Sequence, residues 1–223
     1  ELTYESVAVL AYAVSQAGVR RPSLWSAMER QIAAGAAEWS MRAVGRIMGS
    51  CRRVLASGRD DGGASGGSGA ILGLMRTAGR AMLQRRDDVQ FHEASDLVMA
   101  LAALPACEGE AGAEAEELLW LACEVMEREP SAFPPCFLAS GLHALAALAL
   151  LRLDAGAEEA GGAAAALRGL RALAPELGAR LCLCAAGDLE LVAEALWALL
   201  SHGPLGLAWE LGADRLLLVQ QRE

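Results

Sequence analysis

Val9-Leu10-Ala11-Tyr12-Ala13-Val14-Ser15-Gln16-Ala17-Gly18-Val19-Arg20-Arg21-Pro22-Ser23-Leu24-Trp25 is the stretch whose reading decides the fold. A helix-forming, mostly apolar run ends at Gly18, which tolerates the left-handed backbone that a helix stop needs. Arg20-Arg21-Pro22 makes a short link, and Ser23 stands where it would cap a second helix from Leu24 to about Ile32. Upstream, Thr3 is placed to cap the first helix. The run Val7 to Ala17 is apolar on more than one side, so the helix is expected to lie between neighbours. Two helices joined by so short a turn bury both faces only when another pair stacks on them.

Composition extends this reading to the whole chain. Of 223 residues, 54% are apolar and only 4% aromatic. Much of the apolar content is Ala and Leu, the stronger helix formers, while β-branched and aromatic runs that would signal strands are nearly absent. The predicted class is all-α, an α-solenoid of degenerate helix-turn-helix repeats, with an irregular helical bundle as the alternative. The chain has no Lys and no Asn. Both have AT-rich codons, so a GC-rich genome accounts for their absence, and every basic contact other than histidine's must come from Arg.

A second unit begins near Glu38-Trp39. At 100° per residue, Val44, Ile47, Met48, Cys51, Val54 and Leu55 share one helix face, and Arg42, Arg46 and Arg53 share the other, with Gly49 among them. Ser57 to Gly69 is low in complexity and reads as a flexible loop over 57–69. Helix is expected to resume over Ala70 to Arg86, then over Gln90 to Leu104, Ala113 to Glu127, Pro135 to Leu153, Gly162 to Leu173 and Asp188 to Ser201. Pro105, Gly109-Gly112, Pro130, Gly161, Pro175 and Gly203-Pro204 supply the breaks. The tail over 205–223 reads either as a short strand at Leu216 to Val219 or as a last helical turn. Small anchor residues recur at Ala11, Gly49, Ala100, Ala144 and Ala198, at separations of 38, 51, 44 and 54 residues.

Charge divides the chain unevenly. Residues 1–86 hold 12 Arg against 6 acidic residues, a balance of +6, and residues 87–223 hold 7 against 22, a balance of −15. The whole-chain net charge of −9 hides this split. The expected organisation is therefore basic helical repeats over 1–86, acidic helical repeats over 87–204 and a tail. A polyanion surface is the candidate site: Arg42, Arg46 and Arg53 as a stripe, extended by Arg20, Arg21, Arg52, Arg76, Arg80, Arg85 and Arg86. Guanidinium groups release counterions when they neutralise phosphates and stack on unpaired bases, so this pattern points to RNA. The bland alternative is a solvated face of weak ion pairs. Trp25, Trp39, Trp120, Trp197 and Trp209 are spaced like interhelix packing residues, and Trp39 is the one to test for base stacking as the alternative. The acidic segments Glu108-Gly109-Glu110, Glu114-Ala115-Glu116-Glu117 and Glu158-Glu159 would repel nucleic acid and suit solvated ends or docking onto a basic protein.

Other chemistry is sparse. Cys51, Cys107, Cys123, Cys136, Cys182 and Cys184 form no C-x-x-C pair, and most lie in apolar helical runs. Reduced, buried thiols are expected, ahead of disulfides or a zinc site. His143 reads as a core histidine. No H-x-x-x-H, Gly-rich phosphate loop or nucleophile elbow occurs, so no enzyme, cofactor or metal is assigned. The apolar run Phe137 to Leu151 is short for a bilayer and reads as a buried helix, with no transmembrane segment.

The quoted stretch resembles the repeat of organellar RNA-processing proteins of the octotricopeptide and heptatricopeptide kind, and is similar to the helical region that precedes RAP domains. Residues 3–32 carry the likeness, and Ala195-Leu196-Trp197-Ala198-Leu199-Leu200 before Gly203-Pro204 echoes it. The resemblance implies a non-catalytic, helical-repeat RNA-binding scaffold in a mitochondrion, or alternatively a plastid. Its partners would be rRNA or organellar transcripts through the basic half and other protein subunits through the acidic half. A mitochondrial ribosome or another ribonucleoprotein is the expected host. The alternative is a structural adaptor subunit of a respiratory or photosynthetic membrane complex that binds only protein.

Overall fold

The computed structural model describes residues 3–35, 38–57, 65–103, 110–154 and 161–202. They form α-helices throughout: α1 Tyr4–Gln16, α2 Pro22–Gly35, α3 Met41–Ala56, α4 Ser65–Gln84, α5 Phe91–Ala102, α6 Glu110–Arg128, α7 Pro135–Asp154, α8 Gly161–Arg180 and α9 Ala186–His202. Short 3-10 turns follow α4, α6 and α8, and no strand occurs among the described residues. The described residues are all-helical. The tail over 205–223, Cys107, Trp209 and Glu158-Glu159 lie outside the described residues.

Local chemistry sets the helix ends. Thr3 Oγ1 accepts from Ser6 N at 3.3 Å and opens α1. Gly18, at φ +64°, closes it: Val19 N donates to Val14 O and Gly18 N to Ser15 O. This is a Schellman closure that needs a left-handed residue. Trp25 then turns into the core and donates from Nε1 to Val19 O at 2.9 Å, tying α2 to the turn before it. Ser40 Oγ accepts from Ala43 N at 3.2 Å at the start of α3, and Glu93 caps α5 by accepting from Gln90 N at 3.1 Å.

Several boundaries differ from the sequence expectation. The second helix starts at Pro22, so Ser23 lies inside it and does not cap it; Leu24 N and Trp25 N both reach back to Arg21 O. Proline suits a first helical position because it has no N–H to lose there. Helix α4 begins at Ser65, inside the expected loop, because extending a formed helix adds a hydrogen bond without a new nucleus. Helix α6 starts at Glu110, ahead of Ala113. Pro175 does not break α8, which continues to Arg180. An interior proline costs about 3 kcal/mol, and burial of Leu170, Leu173, Ala174 and Leu177 offsets it.

The helices pack as two compact units, Glu1–Leu118 and Leu119–Glu223, with the division inside α6. In the first unit α1 lies on α3, α3 on α5, and α2 on α4, while α3 and α4 face each other across the core. Trp25, Ile32, Trp39, Ile47, Met48, Leu74, Met82 and Leu97 are fully buried there. In the second unit α7 packs on both α8 and α9, around Leu119, Leu121, Phe133, Leu138, Leu145, Leu173 and Leu199. Small residues permit close approach. A Cβ added at Gly169 of α8 would fall 2.8 Å from Leu145 Cδ1 and 2.9 Å from Cys123 Sγ.

The division changes the charge picture. The first unit contains all 12 Arg of residues 1–86 but 15 acidic residues, a balance of −3, and the second has 7 against 13, a balance of −6. The basic run along the chain is folded together with acidic α5 and α6.

Candidate nucleic-acid interface

The amphipathic pattern of α3 places the site. Ala43, Val44, Ile47, Met48, Cys51 and Val54 are buried, leaving Arg42 and Arg46 exposed and Arg53 half-buried on the opposite side. Since the buried face meets α4, the arginine stripe points away from that helix. Neighbouring helices lean onto its two edges. From α1, Glu5 comes within 3.8 Å of Arg46 Nη1 and also accepts from Ser40 Oγ at 2.7 Å. Arg53 lies over the Tyr12 ring, with Cζ 5.1 Å from the centroid, and its Nη1 reaches Ser15 Oγ at 3.4 Å.

On the other edge α5 contributes Glu93 and Asp96. Gly45 and Gly49 let them approach: an added Cβ would lie 3.2 Å from Glu93 Cγ at Gly45 and 3.3 Å from Asp96 Oδ1 at Gly49. Burial pushes the Asp96 carboxyl up to about 6, opposed by Arg52 and reinforced by Glu93. Burial likewise lowers the Arg52 pKa, and Asp96 counters it. Arg52 is therefore partly desolvated, with Asp96 as the nearby opposite charge. A partly desolvated pair of this kind costs more to separate than an exposed one.

The remaining arginines do not join the stripe. Arg20 Nη2 donates to Val54 O at 2.6 Å, where a cation meets the carbonyl end of α3. Arg85 Nη1 donates to Trp39 O at 2.5 Å, and the same guanidinium holds Asp88. Arg76 and Arg80 lie on the face of α4 turned away from α3, opposite buried Leu74, Ala78 and Ala81. Arg80 Nε pairs with Glu114 at 2.5 Å. Arg21 and Arg86 are exposed in turns. One shared wall of ten guanidinium groups is thus replaced by a face of Arg42, Arg46 and Arg53. Arg20, Arg52 and Arg85 are spent inside the fold, and Arg76 and Arg80 lie on the second layer. Packing against residues distant in sequence separates them.

Trp39 is fully buried, its ring 4.9 Å from that of Tyr4, and its Nε1 has no hydrogen-bond partner among the described residues. It is core, as the packing reading expects, and the alternative base-stacking role does not hold for it. Beside the stripe, Tyr12 is an exposed aromatic, at 50%, with Val9 at 57% one turn before it. The pattern of the apolar run Val7 to Ala17, expected to lie between neighbours, does not mark Tyr12 as open. The helices found packed on α1 are α3 and α2, and these leave Val9 and Tyr12 open.

Elsewhere, His143 is half-exposed rather than core, with Nε2 3.4 Å from Glu194 Oε2. Cys51 and Cys123 are buried free thiols, whereas Cys136 and Cys182 are exposed and Cys184 is intermediate. The three lie at the ends of α7 and α8, where helix packing does not cover them. Burial raises Cys51 far above its usual range and pushes Cys123 up to about 12. Among the described residues no group of three His, Cys, Asp or Glu is placed to hold a metal ion, and no helix is long and apolar enough to cross a membrane. Comparison with protein-family models, curated proteins and solved structures gives no match to this chain.

Proposed function

We propose that this chain is a helical-repeat RNA-binding scaffold that contacts phosphates through the outer face of α3. The observation that carries the reading is the stripe itself: Arg42 and Arg46 exposed, with Arg53 beside an exposed aromatic. Each phosphate met by such a group releases counterions, so even a few contacts give salt-dependent affinity. The α-solenoid form is supported by the alternation of contacts, α1 with α3 with α5 and α2 with α4, which is how stacked helix pairs pack. Links between successive pairs recur at similar spacing: Tyr4 to Glu38, Arg20 to Val54 and Arg80 to Glu114 each span 34 residues. The likeness of residues 3–32 to organellar repeats supports a mitochondrial or plastid ribonucleoprotein as host, with a mitochondrial ribosome first. Ultraviolet crosslinking in native material tests it: nucleotide adducts on peptides of α1 or α3 support the reading, and a complete absence of nucleotide adducts overturns it.

A second reading, a structural adaptor that binds only protein in a respiratory or photosynthetic assembly, is favoured by α9. Trp197 is 73% exposed there, and Leu189 and Leu200 share its outer side. Peptide-only adducts in the same experiment would select it.

A further inference from the structure

The open ring of Tyr12 gives the α3 face a second capability beyond holding phosphates. Its side chain is half-exposed although it sits in an apolar helix. Its position is fixed from behind. The Arg53 guanidinium lies over the ring, and that guanidinium is held in turn by Ser15, which is buried and donates its own hydroxyl to Tyr12 O at 2.7 Å. Val9, one turn earlier on α1, adds apolar surface beside the ring. Arg46 and Arg42 continue along α3 toward its N-terminus, past the Glu5 carboxylate.

A flat ring backed by a guanidinium, with the exposed cations Arg46 and Arg42 roughly two and three turns away along the adjacent helix, matches what an unpaired strand offers: a π-face followed by a row of phosphates. We propose that Tyr12 is a stacking platform for one unpaired nucleobase of RNA, whose flanking phosphates are met by Arg46 and Arg42. This rests on the RNA-binding reading above and adds a ligand class to it, single strand over duplex. In an A-form duplex the bases are stacked on one another and leave no free face for Tyr12, so a duplex meets only the arginines.

Fluorescence anisotropy with a labelled single-stranded oligouridylate and a duplex RNA of equal length tests this on the full chain. Tyr12→Ala is expected to weaken single-strand binding about tenfold or more while leaving duplex binding unchanged. Tyr12→Leu keeps the apolar bulk and should lose as much as Tyr12→Ala, and Tyr12→Phe should regain most of it. Thermal unfolding of each variant confirms that the fold is retained; if Tyr12→Ala unfolds, the Leu and Phe pair carries the comparison. Unchanged single-strand affinity in Tyr12→Leu, with loss in Arg42→Glu/Arg46→Glu, overturns the stacking platform and leaves the phosphate reading standing. No binding of either RNA by the unmodified protein overturns both.

Discussion

Replacing Asp96 by Asn should change how stability depends on pH, in a direction the structure fixes. Burial raises the carboxyl from 3.8 to about 6 in the folded chain. Folding therefore favours the protonated acid. The associated stability is fully present below about pH 4 and is lost as pH climbs through the folded value near 6. At about 1.4 kcal/mol per decade of proton affinity, the loss is at most about 3 kcal/mol. Asn keeps the size of the neutral acid and cannot ionise, but it gives up the attraction to Arg52 that partly offsets burial. Urea unfolding followed by far-ultraviolet circular dichroism, at pH 4.5 and pH 7.5 (chosen to bracket the transition), isolates the effect as the variant-minus-parent difference in unfolding free energy. That difference should move toward the variant by about 2 kcal/mol between the two pH values. An unchanged difference, or one that moves toward the parent, would refute the placement of Asp96 as a desolvated acid in the α3–α5 seam.

Two further predictions concern packing and thiols. Gly169→Val drives a side chain into Leu145 and Cys123 and should destabilise the second unit by about 1–3 kcal/mol, read as a lower thermal midpoint; an unchanged midpoint would contradict the close α8 contact. Maleimide labelling of the native protein, mapped by peptide mass, should modify Cys136 and Cys182 early and spare Cys51 and Cys123 until denaturant is added. Early labelling of Cys51 would contradict its burial in the α3 core.

Much of the first unit was legible because its signals are local. Gly18 needs only its own backbone freedom to stop α1, and the apolar face of α3 shows at a period of 3.6 residues. The same periodicity put Arg42, Arg46 and Arg53 on one side. What it could not reveal was which guanidinium groups meet partners from elsewhere in the chain. Arg52 is matched by Asp96, Arg80 by Glu114 and Arg20 by a carbonyl of α3. All three links depend on how helices stack. The exposure of Tyr12 depends on stacking too: Trp39 packs against Tyr4 of α1, while Tyr12 is left on the open side of that helix. Pro175 was read as a stop from its missing N–H alone, yet the leucines on both sides of it are buried and carry the helix through.

The salt dependence of single-stranded RNA binding tests the central claim most directly. With one phosphate neutralised per guanidinium and its counterions released, the slope of log affinity against log salt should be shallower by about 1.4 in Arg42→Glu/Arg46→Glu than in the parent protein. Equal slopes in the two proteins, or no binding by the parent at the lowest salt, would contradict an RNA face on α3.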